Sequence, residues 1–339
     1  MIARKGPRMS DPTTGTTATP GILRPVASSG GEQTTAVRPP PALDQTLPRV
    51  HFFVPFYGSP RFLVETVEAV RRSEDTRWRL TIVDDGWPTT EIEDHLARLG
   101  DPRIRYLRNE TRQGTAGNLF TCIRMAQERS EAPYVTFLGA DDIVEPNYVD
   151  VVTSAFRWSS DAVMVQPAVT VIDESGEVHT PLADRVKRLS SWSSRRRGVV
   201  SGEHAVRQLM RANWLYWPSV SVRRDVLGRT HWRADIDGIS DFAHAIDILI
   251  GGGSLVLESA LAFRYRRHPT NDSSTRARSG VRWEQEKRYY QEVAAALRVH
   301  GWTRAARAAD LHLSSRLHAA QARLMAATAA VDARLRRAG

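Results

Sequence analysis

The chain has 339 residues, of which 41% are hydrophobic, enough to bury a full core in one large domain or two. Lysine and arginine exceed aspartate and glutamate by nine charges, yet the basic residues are not interleaved with stacking aromatics and form no recognisable nucleic-acid module, which argues against a nucleic-acid partner. No segment reaches the ~18 apolar residues of a membrane span and no apolar run follows the basic N-terminus, so we expect neither a transmembrane helix nor a signal peptide.

The first 48 residues are rich in threonine, proline, glycine and serine. They contain too few large apolar side chains to offset the entropy of ordering, so residues 1–48 are predicted to be a disordered tail. After this tail, β-branched and aromatic residues predict buried strands at 50–54, 80–83 and 134–138, with helical spacing between the first two. The strands run into Pro55-Phe56-Tyr57-Gly58, Asp84-Asp85-Gly86 and Gly139-Ala140-Asp141-Asp142. Because ligands bind where parallel strands end, these segments predict a binding site.

Asp141 and Asp142 are adjacent carboxylates directly after a buried strand. Such carboxylates repel each other, and hard oxygen ligands suit Mg²⁺ or Mn²⁺, so the pair predicts a metal site. Alternatively, Asp142 caps a helix that begins near Glu145. The upstream pair, Asp84 and Asp85, has a similar alternative as a plain Asp-Gly turn. Taken together, the two pairs and the Pro-aromatic turn favour a site for a metal-bound diphosphate.

Four segments between Val50 and about Val152 resemble the nucleotide-binding half of family 2 glycosyltransferases. They are, in the family's order, Pro55-Phe56-Tyr57-Gly58, Val83-Asp84-Asp85-Gly86-Trp87, Arg112-Gln113-Gly114-Thr115-Ala116-Gly117-Asn118 and Leu138-Gly139-Ala140-Asp141-Asp142. The resemblance continues more weakly to about Ser274. It implies an α/β fold of the GT-A (Rossmann-like) type, with an open mixed sheet flanked by helices. It also implies an inverting, hexosyltransferase-type enzyme that moves a sugar from a UDP- or dTDP-linked donor to an acceptor hydroxyl.

The resemblance also assigns roles to single residues. The implied nucleotide-binding residues are Pro55, Tyr57, Asp84, Asp85, Gly114, Asn118 and Asp141. The implied ligands of Mg²⁺ or Mn²⁺ are Asp141, Asp142 and His268. One departure is Gly139, which stands where the family has its first Asp, so a ligand or a water-mediated contact is missing. For His268, within a stretch similar to the family's Tyr-Arg-x-His segment, a solvated basic turn is the alternative.

The general base implied by the family opens a helix in the second half of the chain. Counting back from Gly251-Gly252-Gly253 places Asp241 at that position, although Ser240 stands where the family often has a second acid. A helix N-cap is the alternative for Asp241. Asp237 and Asp247 are weaker candidates for the base, and Asp247 lies in an apolar face where the sequence offers no evident partner.

Aromatic residues before Pro218 mark the expected acceptor region, with Trp214 and Trp217 as acceptor contacts. Core packing is the alternative for both rings. The acceptor itself is not readable, and a polysaccharide, a lipid carrier, a protein or a small secondary metabolite all fit. An inactive sugar-nucleotide-binding or scaffolding protein remains an alternative function. A sugar nucleotidyltransferase is disfavoured, because no Gly-rich basic loop follows the first strand.

The expected domain organisation is a nucleotide-sugar-binding half at 49–152, an acceptor-binding half at 153–275 and a basic helical extension at 276–339. The last segment has 13 lysines and arginines against 5 aspartates and glutamates, and from Leu313 apolar residues recur at helical spacing. This extension packs on the catalytic domain, lies on an anionic membrane, or self-associates. The single cysteine, Cys122, permits no internal disulfide and is expected in the core. We therefore predict a cytoplasmic location, which would be peripheral to the membrane if the extension lies on it.

Overall fold

The computed structural model of the protein describes residues 46–179, 197–229, 233–268 and 281–312. Most of the predicted N-terminal tail and the apolar stripe predicted from Leu313 onward therefore lie outside the described residues.

Strands and helices alternate through most of the described chain. The strands are β1 (Val50–Phe56), β2 (Trp78–Asp84), β3 (Ile104–Arg108), β4 (Tyr134–Phe137), β5 (Ile143–Val144), β6 (Met164–Ile172), β7 (Gly198–Ser201), β8 (Ser221–Arg223) and β9 (Ser254–Arg266). The α-helices are α1 (Pro60–Arg71), α2 (Glu91–Leu99), α3 (Gly114–Arg129), α4 (Tyr148–Trp158), α5 (Gly202–Arg211), α6 (Ser240–Ile250), α7 (Val281–Val299) and α8 (Thr303–Leu311). Short 3₁₀ helices lie at Trp217–Ser219, Arg224–Arg229 and Ala234–Ile239. The three strands predicted from β-branched and aromatic runs are confirmed as β1, β2 and β4.

The nine strands of the described ranges form one mixed sheet, in the order β3-β2-β1-β4-β8-β6-β9-β5, with β7 paired to β9. Strands β1 to β4 are parallel to one another, whereas β8 runs antiparallel between β4 and β6. The predicted open mixed sheet flanked by helices is therefore confirmed. Parallel β2, β1 and β4 all end at one edge, and the Asp85 and Leu138 amides donate to Phe56 and Phe53 carbonyls there, at 2.8 and 2.9 Å. The polar segments that follow these strands are brought together by this pairing.

Helices cover both faces of the sheet and bury two apolar clusters. Helices α1, α2 and α4 pack on one face, and α3 and α5 to α8 on the other. Cys122, on α3, is fully buried, and burial raises the pKa of its thiol, as expected for a core cysteine rather than a nucleophile.

The described residues 281–312 of the predicted C-terminal extension pack on the face of the sheet that α3 and α5 also cover. Buried alanines at positions 305, 306 and 309 of α8 join the same apolar cluster as α5 and α6. The Glu203 carboxylate, at the start of α5, accepts hydrogen bonds from the backbone amides of Arg304 and Ala305, at 2.5 and 3.1 Å. In these ranges of the chain, no helix is long and apolar enough to cross a membrane.

Candidate functional site

An exposed aromatic surface lies where β1 ends. The Tyr57 side chain is 44% exposed, and the Arg112 guanidinium lies 3.8 Å from its ring centroid. The Trp87 ring meets Tyr57 edge-on, with the centroids 5.4 Å apart. Pro55, the residue before Phe56, is half-buried in the same strand. Trp87 and Arg112 were not predicted as site residues, although each stands inside one of the four motif segments.

The carboxylate of Asp85 is buried and holds the N-terminus of α3. It is 1% exposed and accepts hydrogen bonds from the backbone amides of Gln113 and Gly114, at 2.7 and 2.8 Å, and from the Asn109 side chain at 2.9 Å. Anionic side chains are favourable at this end of a helix, where amides lack partners. The Asn118 side chain continues the network, donating to the Val83 carbonyl and accepting from Asn109. Asp85, Gly114 and Asn118 are therefore joined in one hydrogen-bond network at the start of α3.

Asp84 shapes the turn between β2 and the aromatic surface. Gly86 has φ +83°, which lets the chain turn back so that the Trp87 amide donates to Asp84 Oδ1 at 2.7 Å. The other carboxylate oxygen accepts a hydrogen bond from the Tyr106 hydroxyl, and burial together with this bond raises the pKa of Tyr106. Because Asp84 is 1% exposed and both its oxygens are engaged, its contacts are with the protein.

Asp141 and Asp142 lie in different environments just beyond β4. The side chain of Asp141 is 28% exposed, and its Oδ2 lies 2.9 Å from Nε2 of His268. Asp142 is 1% exposed and accepts a hydrogen bond at 2.8 Å from the backbone amide of Arg266. Burial, and next the neighbouring Asp141, raises the pKa of Asp142 well above its ordinary value. The three predicted metal ligands are thus close together, and Asn147 rather than Asp142 occupies the cap position of α4.

Gly139 makes room for the two carboxylates. A Cβ atom at this position would lie 2.4 Å from Asp142 Oδ2 and 3.1 Å from Asp141 Oδ1. A side chain at position 139 would therefore force the Asp142 carboxylate to move, and it would press tightly against the Asp141 carboxylate. Gly139 replaces the family's Asp at a position where the carboxylates of Asp141 and Asp142 fill the space that a side chain would need.

The buried side chain of Arg266 connects the acid pair to α1 and β9, a role that sequence reasoning missed. Its guanidinium donates to the Asp141 carbonyl at 2.7 Å, to the Glu65 carboxylate at 2.6 Å and to the Glu174 carbonyl at 3.1 Å. Its own amide binds Asp142, so one residue holds both sides of the acidic loop. The signal in the sequence was only a basic run, which does not reveal which arginine is buried.

Asp241 lies in the first turn of α6, whose N-cap residue is Ile239. It is half-buried, and its Oδ1 accepts from the Phe242 amide at 2.7 Å. One turn further on, the ring of His244 meets Trp217 edge-on at 5.6 Å, and Trp217 is parallel to Phe137 at 6.4 Å. This chain of rings leads from α6 to the last residue of β4 and so to the acidic edge.

Trp214 and Trp217 are buried, at 3% and 6% exposure, within the apolar cluster on the α3 face. Their burial favours the core-packing alternative for both rings. Asp247 is half-buried, and its removal from water raises its pKa to about 7. The side chain of Asp237 lies outside the described residues.

The donor set at the acidic loop fits Mg²⁺ or Mn²⁺ shared with a ligand. Asp141 Oδ2 and His268 Nε2 share a hydrogen bond at 2.9 Å, so an ion held by both side chains would replace the proton between them. Across the described ranges, no three His, Cys, Asp or Glu side chains form a ready-made metal site. Such a site would therefore be completed by phosphate oxygens and water, as Mg²⁺ sites commonly are.

Comparison with known proteins agrees with this geometry. The family model described as Glycosyl transferase family 2 matches residues 52–217. The chain is 27% identical over 125 residues to the "Putative colanic acid biosynthesis glycosyl transferase WcaA" of Escherichia coli K12, covering 34% of this chain and 43% of that protein. It is 26% identical over 136 residues to an Escherichia coli chondroitin synthase, covering 39% of this chain and 19% of that protein. The chain thus spans less than half the length of these curated relatives.

Solved structures show the same fold. The crystal structure of Staphylococcus aureus TarS 1–349 superposes with a TM-score of 0.52 at 11% identity, covering 72% of this chain and 65% of that one. The complex of TarS 1–349 with UDP-GlcNAc gives 0.54 at 11% identity, covering 72% and 66%. Residues 52–217 therefore match glycosyltransferase family 2, a family of transferase enzymes, and the described chain has the GT-A fold.

Proposed function

We propose that this protein transfers a sugar, with inversion, from a nucleotide-diphosphate sugar to an acceptor hydroxyl. The observation that carries the proposal is the meeting of Asp141, Asp142 and His268 at the sheet edge where the Tyr57 surface also lies. A diphosphate bound at the acids would leave its nucleoside within reach of that aromatic surface. UDP is the favoured nucleotide, because the TarS structure with the same fold was solved with UDP-GlcNAc.

We assign the base and the diphosphate of the donor to different side chains. Tyr57, stacked under Arg112, offers a ring face to the base, while the Asp85 network holds the start of α3 in place beside it. Asp141 and His268 would hold Mg²⁺ or Mn²⁺, with Asp142 behind them. When bound, the ion neutralises charge that develops on the leaving diphosphate.

Asp241 is the proposed general base. Its carboxylate takes the proton of the acceptor hydroxyl as the oxygen bonds to the anomeric carbon; the bond from that carbon to the diphosphate breaks, and the diphosphate leaves with the electron pair. Support comes from its position in the first turn of α6, which the rings of His244 and Trp217 connect to the end of β4. A single displacement with one base inverts the anomeric carbon.

Binding and turnover test this proposal separately. We expect calorimetric titration of UDP, dTDP and GDP to show one nucleotide binding only with Mn²⁺, and Asp141→Asn or Asp142→Asn to abolish it. Asp94→Asn, at an exposed position of α2, is the control that should bind normally. If no nucleotide binds with or without Mn²⁺, the proposed function is wrong.

The assigned base has its own readout. Asp241→Asn should lower turnover, or slow donor hydrolysis, about 10²–10⁴-fold and leave nucleotide binding unchanged. A loss below tenfold would move the base to another residue. Binding of a nucleotide sugar by the wild type without transfer or hydrolysis would instead favour the inactive binding protein. His268→Ala should raise the KM for the donor and the Mn²⁺ concentration needed for activity. If both values stay unchanged, the role of His268 is structural.

A further inference from the structure

A groove lined by four arginines runs between α5 and α8, on elements separate from the acidic loop. It encloses about 630 Å³ and is lined by Arg207, Arg211, Arg304, Arg307, Ala308 and Leu311. The α5 arginines are four residues apart and those of α8 three apart, so each pair lies on one helix face. The groove is therefore a concave, positively charged surface with an apolar strip on the α8 side.

The positive charge of this α5–α8 groove is not neutralised by the protein. Among the described residues, none of the four guanidinium groups forms a hydrogen bond or an ion pair. Two nearby acids are engaged elsewhere, because Glu203 accepts from the first amides of α8 and Asp310 pairs with Arg298. Four arginines without a partner in the described part of the protein concentrate positive charge along one cleft, and this charge favours an anionic ligand.

The chemistry of the groove suits phosphate groups. Guanidinium groups bind phosphate oxygens through two parallel hydrogen bonds and remain charged at any physiological pH. Leu311, at the end of α8, is 54% exposed beside these charges. A site that combines several phosphate-binding cations with an exposed apolar side chain matches the boundary between lipid head groups and acyl chains.

The sequence after the groove points to a membrane rather than a soluble polyanion. The described chain ends one residue after Leu311, and the next 27 residues carry five arginines and a single acid. In this segment apolar residues recur at steps of three and four, at Leu313, Leu317, Ala320, Leu324, Ala327, Val331 and Leu335. This is the pattern of a helix that lies in a membrane interface with basic residues towards the head groups.

We propose that the α5–α8 groove binds the phosphate head groups of anionic phospholipids and anchors the protein to the membrane surface. The arginines of the groove supply the head-group contacts. Vesicle binding does not depend on the proposed transferase activity, so the two proposals can fail independently.

The experiment is sedimentation of the full-length protein with vesicles of phosphatidylcholine alone or with 30% phosphatidylglycerol. The variant R211Q/R307Q removes one exposed arginine from each wall of the groove. The matched control R98Q/R105Q removes the same charge from exposed positions on α2 and β3 that have no ion pair in the described ranges. Circular dichroism and thermal unfolding confirm that each variant is folded.

We expect wild type to bind only the anionic vesicles, with an affinity that falls as salt rises. At about 1 kcal/mol for each basic residue near the surface, R211Q/R307Q should bind about 30-fold more weakly, and R98Q/R105Q should stay within about threefold of wild type. Equal binding by the two variants, or no wild-type binding to anionic vesicles, would overturn the proposal. Binding of soluble polyphosphate through the groove, without vesicle binding, would make a soluble polyanion the occupant.

Discussion

Replacing Asp85 tests whether this acid stabilises the fold as well as the proposed nucleotide site. Its carboxylate is 1% exposed and accepts three hydrogen bonds, two of them from the backbone at the start of α3. Hydrogen bonds to a charged group contribute about 1.5–3 kcal/mol each, and loss of a helix cap alone costs about 0.5–2 kcal/mol. Water entering the space would satisfy some donors, so Asp85→Ala should lower the free energy of unfolding by about 3–6 kcal/mol.

Two further variants, Asp85→Asn and Asp94→Ala, give intermediate and minimal losses of stability for comparison. Asp85→Asn keeps one acceptor oxygen but turns an amide towards a donor, so its effect should be about half that of the alanine variant. Asp94→Ala is the matched control, because this exposed acid on α2 accepts only the Thr90 hydroxyl. It should change stability by about 0.5 kcal/mol or less.

Urea unfolding followed by tryptophan fluorescence measures these differences, and UDP titration on the folded variants measures binding. Weaker UDP binding together with the loss of stability would show that the capping network positions the pocket. An Asp85→Ala protein within about 1 kcal/mol of wild type would refute the capping role. Asp85 would then be a ligand contact alone, and only UDP binding would change.

Three further predictions concern the acidic loop and α6. Gly139→Ala places a methyl group 2.4 Å from Asp142 Oδ2. It should cost about 1–3 kcal/mol of stability and weaken Mn²⁺-dependent UDP binding; unchanged binding contradicts this. Arg266→Lys loses the planar fork and should cost at least about 2 kcal/mol in urea unfolding; full stability would show that charge alone suffices. Burial raises the pKa of Asp247 to about 7, so the native state holds its proton more tightly than the unfolded state. Wild-type stability relative to Asp247→Asn should therefore fall from about pH 4 to pH 7, by up to about 4 kcal/mol; a pH-independent difference refutes it.

The fold and the place of the site were open to prediction because their signals are local. Runs such as Leu80-Thr81-Ile82-Val83 specify a buried strand by side-chain type alone, and the acids that follow stand at the strand end in sequence as in space. Parallel pairing of β1, β2 and β4 then brings three such ends to one edge. The resemblance of the four segments to glycosyltransferase family 2 rested on this same local information, and the family match confirms it.

The contacts that give each residue its environment were not open to prediction, since they join residues far apart in the chain. Arg266 reaches Asp141 across 125 positions, and Asp85 reaches Gly114 across 29. No periodicity shows which arginine of a basic run is buried or which acid caps a distant helix.

The sequence by itself determined the alternation of strands and helices, the acidic pairs at the strand ends and the excess of positive charge towards the C-terminus, because hydrophobic pattern and residue type act over a few residues. Only the tertiary structure decided that the Asp142 carboxylate occupies the space beside Gly139, that Trp214 and Trp217 lie in the core, and that arginines from α5 and α8 face one groove. These features depend on contacts between distant parts of the chain, because α5 and α8 are about a hundred residues apart and Asp142 is held by the amide of Arg266, 124 positions away. The dense packing of the interior leaves each buried side chain one environment.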